Sequence, residues 1–342
     1  MDMRNGSCAT LLAIGLLSPL GCGAGVDGAD GIGSVSEELT SASVAHMAPA
    51  GVVESQGNLY WTMNRTLFGF PVRYSNTVYR ASKGSAPGQE TALYTETSTS
   101  PFYFGSITFG MANGVWYGYF VVDYSTQSVI KRVPLDGSGP AVTMNDLTGH
   151  VGAHTPLYAD GSYLYFMDGT GIWAMLFAGT IANPIVQAAN ITTFTLAPSF
   201  VWYAVGKTIS YAPKIGVSVS GGSYPPVLFP VSMLAYRPTS PAYVFWSDGT
   251  MVSELLRSTY WGSAGSGRMI TSLDDDGTHV LWIDCTTGGN ACAARVKTST
   301  SGSPVSVSLP DYSRNIQADS YDSAQSRFFY TSYTDLMRVT YP

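Results

Sequence analysis

The sequence predicts an all-β chain: a seven-bladed β-propeller of four-stranded antiparallel blades, with six or eight blades as the neighbouring solutions. Three observations predict it. A hydrophobic triplet ending in an aromatic residue recurs seven times, its starts separated by 56, 49, 37, 43, 36 and 48 residues. Those intervals bracket the roughly 40–50 residues of one propeller blade. Aromatic residues make up 13% of the chain and there are 37 glycines, which suits strands and tight turns. Charged residues make up only 12%, too few to coat helix surfaces, and no window of twelve or more residues keeps a 3.6-residue apolar period. At 342 residues the length alone suggests two cores. A ring of small sheets removes that need.

The triplets, in order, are Leu59-Tyr60-Trp61, Val115-Trp116-Tyr117, Leu164-Tyr165-Phe166, Val201-Trp202-Tyr203, Val244-Phe245-Trp246, Val280-Leu281-Trp282 and Phe328-Phe329-Tyr330. Before each comes a short strand and a tight turn, as in Leu157-Tyr-Ala-Asp-Gly-Ser162. After it come a turn and a third strand with a basic or polar residue, as in Ser128-Val-Ile-Lys-Arg-Val-Pro134. A Gly/Ser-rich turn and a small fourth strand follow. Only about twelve residues follow Tyr330, so the last blade lacks a strand, and a segment near 43–48 is expected to complete it. One toroidal domain is therefore expected over residues 44–342.

Ahead of it, residues 1–21 read as an export signal, with Arg4 before the apolar run Ala9–Leu17. That run is shorter than the roughly 20 residues a spanning helix needs. Gly21-Cys22 resembles the cleavage and lipidation point of bacterial lipoprotein signals, and an ordinary secretory signal is the alternative. Residues 22–43 are Gly-rich and acidic, a flexible tether. An extracytoplasmic protein follows: an outer-membrane or cell-surface lipoprotein, or a secreted or periplasmic one. Cys285 and Cys292 flank the turn Gly288-Gly289-Asn290, where a cross-strand disulfide suits such a compartment.

Two stretches resemble the YWTD repeats of LDL-receptor-like propellers: Leu59-Tyr-Trp-Thr62 with Thr77-Val-Tyr-Arg-Ala-Ser82, and Val115-Trp-Tyr117 with Val129-Ile-Lys-Arg-Val-Pro-Leu-Asp-Gly-Ser138. NHL-like bacterial repeats look similar. The YWTD resemblance implies a structural acid that bonds between blades, retained at Asp168, Asp248 and Asp284. Met63, Tyr119, Val205 and Ser332 take its place elsewhere.

Net charge is −6, which argues against a nucleic-acid partner. The histidines His150 and His154, with His46, fall where inter-blade links open beside the channel. They carry the alternative of a propeller lyase or hydrolase, with or without a metal. Gly149 and Gly152 argue against the helix that such a metal pair would use, and solvated loop histidines are the simpler reading. Asp274-Asp275-Asp276-Gly277 reads as an acidic hairpin turn rather than a cation loop, and His279 as plain strand packing. Aromatics in links and turns, namely Phe102, Tyr103, Tyr224, Tyr260 and Trp261, suit sugar stacking or peptide anchoring. The expectation is a monomeric, non-catalytic module binding a protein or glycan on one face, with no cofactor or metal and with membrane contact only through an N-terminal lipid.

Overall fold

In a computed structural model we describe residues 40–45, 49–55, 57–124, 127–146, 157–218, 220–237, 243–255, 259–298, 300–310, 313–318, 327–331 and 336–340. Their strands form seven four-stranded antiparallel sheets. Six are contiguous blades, each made from four consecutive strands: residues 49–98, 102–146, 158–187, 191–223, 233–263 and 268–309, blades 1 to 6. The remaining sheet is assembled from both ends of the chain. Three C-terminal strands, Arg314–Ala318, Arg327–Thr331 and Leu336–Thr340, are completed by Thr40–Ala45, which pairs with the last of them from Thr40↔Thr340 to Ala45↔Leu336. The expectation of seven like blades is therefore corrected to six contiguous blades and one composite sheet. The aromatic triplet recurs in all of them, so the repeat alone could not mark the composite one.

First strands of successive sheets pack side by side, and the composite sheet's Arg314–Ala318 packs on blade 1's Pro49–Ser55, so the series closes on itself. The hydrophobic core lies between sheets. At the closure, Leu59, Trp61 and Ala81 of blade 1 meet Phe329 and Leu336 of the composite sheet, all buried. Between blades 5 and 6 the cluster centres on Phe245, Trp261 and Trp282. Period-two alternation puts one residue of each second strand against one neighbour and the next residue against the other. Burying each such ring is worth roughly 1.5–3 kcal/mol.

Blade 2 departs from the triplet reading. Its second strand runs Val115–Tyr124, and Val115 is exposed. The residues buried in that strand are Gly118, Tyr119, Phe120, Val121 and Val122. A ten-residue strand has room for an apolar run at its entry as well as in its packed middle.

The few basic residues tie blades together. Arg80, Arg132 and Arg338 each sit two places before the end of a third strand. Each donates from Nη1 to the carbonyl just beyond the next sheet's third strand: Leu135 at 2.9 Å, Phe177 at 3.2 Å and Lys83 at 3.1 Å. Arg338 thereby bonds across the joint where the chain ends meet. Lys131 reaches back from blade 2 to Glu96 of blade 1 at 2.5 Å, and Arg237 of blade 5 holds Asp275 of blade 6 by Nε and Nη2. A guanidinium with several donors suits such bridging of backbone and carboxylate.

Candidate functional site

Strand directions alternate within each sheet, so the turns between second and third strands share one face with the links between blades. We call this the link face. Blade 1 carries a long outer hairpin toward it: Asn58–Leu67 and Arg73–Ser82 are ten residues each, whereas blade 2 joins a ten-residue second strand to a seven-residue third strand and the second strands of blades 3 to 6 have 6, 6, 5 and 7. The connecting turn is apolar. Phe68 and Phe70 are 92% and 106% exposed, and Leu67 and Val72 are also exposed.

The base of this hairpin is clamped by side-chain amides against the first strand of blade 2, Phe102–Ala112. Asn64 donates to the Phe104 carbonyl at 2.8 Å and accepts from the Phe104 amide at 2.7 Å. Buried Asn76 donates to the Phe102 carbonyl at 2.7 Å and accepts from the Arg65 amide at 3.1 Å. Thr62 donates to the Gly105 carbonyl at 2.6 Å. These bonds replace the ladder that two first-to-second-strand neighbours in different sheets cannot make.

A second apolar element of the link face is the connection from blade 4 to blade 5. It is pinned by the amides of Tyr224, Val227 and Val231 on the carbonyls of Ile209, Lys207 and Gly206. Leu228 and Phe229 stand out at 76% and 52% exposed. Beneath them lies a crevice of about 450 Å³, lined by Tyr224, Pro225, Pro226 and Leu228 on one side and by Trp246, Met251 and Ser253 of blade 5 on the other. Tyr224 packs on Trp202 and Tyr211, with ring centroids 5.6 and 6.1 Å away, and burial pushes its phenol pKa up, with nearby Tyr211 adding to the rise. A neutral ring with a hydroxyl at one end is equipped to stack on an apolar surface and donate one hydrogen bond.

Of the aromatics expected to bind, the structure brings Tyr103 and Tyr224 to this face. Tyr103 is 55% exposed, but its neighbour Phe102 is 1% exposed and stacked on Tyr124. The same alternation turns Tyr260 outward, on the opposite face of blade 5, and Trp261 inward at 5% exposure. Trp261 meets Phe245 edge-on at 5.1 Å, under the Arg237 guanidinium. Phe102 and Trp261 are therefore corrected to interblade core. A link or turn position does not fix which way the pleat aims each side chain. His46, His150, His154 and Cys22 lie outside the described residues.

The acids serve structure. Oδ1 of Asp168 accepts from the Thr170 amide and hydroxyl and the Gly171 amide, and Oδ1 of Asp248 does the same for Thr250 and Met251. Both thus tie their own turns. Asp284 is fully buried between Arg268 and Arg295 of its own blade. The bridging between blades comes instead from cations, as above. In the acidic run, Asp275 binds Arg237, while Asp276 caps the turn and hydrogen-bonds His279 Nδ1 at 2.8 Å, so His279 ties the turn rather than merely packing. Among the described residues no group of three His, Cys, Asp or Glu converges on a point that could hold a metal ion. Cys285 and Cys292 form a disulfide between paired strands.

The features that sequence reasoning missed are Phe68, Phe70, Leu228 and Phe229. Their signal was present: Leu67-Phe-Gly-Phe-Pro-Val72 and Val227-Leu-Phe-Pro230 are apolar where turns are ordinarily polar.

No family model matches the chain, and no curated protein matches it. Solved structures do. A structure from a study of two prolyl endopeptidases aligns with TM-score 0.53 at 13% identity, covering 85% of this chain and 47% of that one. The extracellular domain of a putative one-component system, BT4673 of B. thetaiotaomicron, aligns at 0.52 and 10% identity over 89% and 40%. Hsv2 of Kluyveromyces marxianus aligns at 0.51 and 10% identity over 84% and 89%. The chain thus spans less than half the length of the first two. At such identities the likeness is one of fold: this chain is a β-propeller.

Proposed function

We propose that the chain is an extracytoplasmic, envelope-anchored propeller that binds a protein or a glycan on its link face and catalyses no reaction. The observation that carries this is the distribution of exposed rings. Among the described residues five aromatic side chains are prominently exposed, Phe68, Phe70, Tyr103, Phe229 and Tyr260, and four of them belong to the link face. Beside them opens the Tyr224 crevice, whose volume falls in the range of about 300–1,000 Å³ used by ligand pockets. The Cys285–Cys292 disulfide supports an oxidising compartment, and the signal-like residues 1–21 with Cys22 support a lipid anchor. Kinship with YWTD-like repeats is part of the proposal, supported by the matched roles of Arg80 and Arg132.

The test is a binding screen of residues 37–342, which contain every described strand, against a glycan array and purified envelope proteins. A ligand retained by this segment is expected to lose at least about tenfold in affinity with Tyr103→Ala combined with Tyr224→Ala, the scale of two modest hot spots. Undiminished binding by that variant refutes the site.

A further inference from the structure

We propose that the hairpin tip of blade 1 docks on an anionic lipid bilayer, with Phe68 and Phe70 at the boundary between headgroups and acyl chains and Arg65 and Arg73 on the headgroup phosphates. The tip, residues 67–72, exposes apolar side chains on both arms and has no described side chain folded over it. It is held out by a rigid base rather than left loose, because Asn64 and Asn76 bond the hairpin to the backbone of Phe102 and Phe104. An apolar tip on a pre-ordered support binds without first losing conformational freedom.

Charge selects the partner. The chain as a whole is acidic, yet residues 55–89 contain four bases and no Asp or Glu. Two of the four are engaged in the ring, Arg80 with the Leu135 carbonyl and Lys83 with Glu54. Arg65 and Arg73 are exposed, and Arg73 pairs directly with Leu67 at the edge of the tip. Strand pleating puts Arg65 on the same side as Leu67 and Arg73. Aromatic and aliphatic side chains ahead, with cations one step behind on both arms, match the depth profile of an anionic bilayer surface. Phe68 and Phe70 count among the exposed rings of the link face, but the tip is separate from the Tyr224 crevice, so the vesicle experiment and the ligand screen with Tyr103 and Tyr224 fail or succeed separately. It is tested apart from any N-terminal lipid, because residues 37–342 lack Cys22.

The experiment is vesicle flotation of residues 37–342, which lack Cys22, with phosphatidylcholine alone or with about a third phosphatidylglycerol. Wild type is expected to float with the anionic vesicles and not with the neutral ones. Phe68→Ser with Phe70→Ser should lower the bound fraction at least about tenfold, and Arg65→Gln with Arg73→Gln should do likewise. Thermal melting checks that these exposed changes leave the fold intact. A polarity-sensitive dye on Gly69→Cys should shift to the blue only with anionic vesicles. Absence of flotation, equal flotation of the two vesicle types, or unaltered flotation of the Phe variant each overturns the proposal. Should the Phe variant instead lose an envelope protein while no form binds vesicles, the tip docks on protein and the proposal is equally overturned.

Discussion

Replacing Asn76 by Ala tests whether blade 2 holds the hairpin of blade 1. Asn76 is 1% exposed and makes two bonds with backbone groups, to the Phe102 carbonyl and from the Arg65 amide. Alanine removes both. Each intramolecular bond is worth about 0.5–1.5 kcal/mol, and a buried carbonyl left without its donor costs about 1–3 kcal/mol, so the loss is about 2–4 kcal/mol. At about 2.1 cal/mol/K per residue, a fold of roughly 300 residues loses about 3–6 °C in Tm. Asp at this position should be worse than Ala, because it presents an acceptor and a buried charge to the Phe102 carbonyl. The assays are thermal melting by circular dichroism and hydrogen exchange of residues 63–75, which should quicken in both variants. A melting temperature within about 1 °C of wild type, with unchanged exchange in the hairpin, would refute the clamp.

Glu96 gives a pH dependence. Burial raises its pKa, but hydrogen bonds from Lys131, Tyr124 and Tyr94 outweigh that and hold it below the ordinary glutamate value of 4.5. Its contribution is therefore complete above about pH 4.5 and is lost as the pH falls through the lowered folded value; Glu96→Gln should flatten the Tm profile in that acid range, and parallel profiles would exclude the effect. Asp284→Ala strands two guanidiniums in a crowded site, with an expected cost of about 3–5 kcal/mol by urea unfolding; a cost under about 1 kcal/mol would mean the pair is solvated. Arg338→Met removes the bond to the Lys83 carbonyl at the joint of the chain ends. It should destabilise by about 1.5–3 kcal/mol and speed exchange in Thr40–Ala45, and slower or equal exchange there would contradict the joint.

The ring was legible in the sequence because interblade packing imposes period-two apolar runs bounded by turns, and Leu59-Tyr-Trp61 and Val280-Leu-Trp282 carry that pattern fully buried. The disulfide was legible because its two cysteines flank a turn. The third-strand bases were visible as residues, but their acceptors are carbonyls of a neighbouring blade, which no local pattern encodes. Gly262 shows the same limit: a Cβ there would come within 2.7 Å of the Trp282 ring, a constraint written in two blades at once. The site was only half legible. Link positions of Tyr103 and Tyr224 were readable, but the inward turn of Phe102 and Trp261 follows from pleat registers fixed by long-range pairing. The apolar turn at Phe68 and Phe70 was overlooked because a run of hydrophobic residues between strands reads as core unless the hairpin is known to project.

Ligand binding to the link face is tested most directly by alanine substitution on both faces of the same protein, with affinity measured for a ligand retained by the wild type. The account predicts that Tyr103→Ala with Tyr224→Ala lowers affinity at least about tenfold while Tyr260→Ala leaves it unchanged. Loss of binding with Tyr260→Ala, and its retention in the link-face variant, would contradict it.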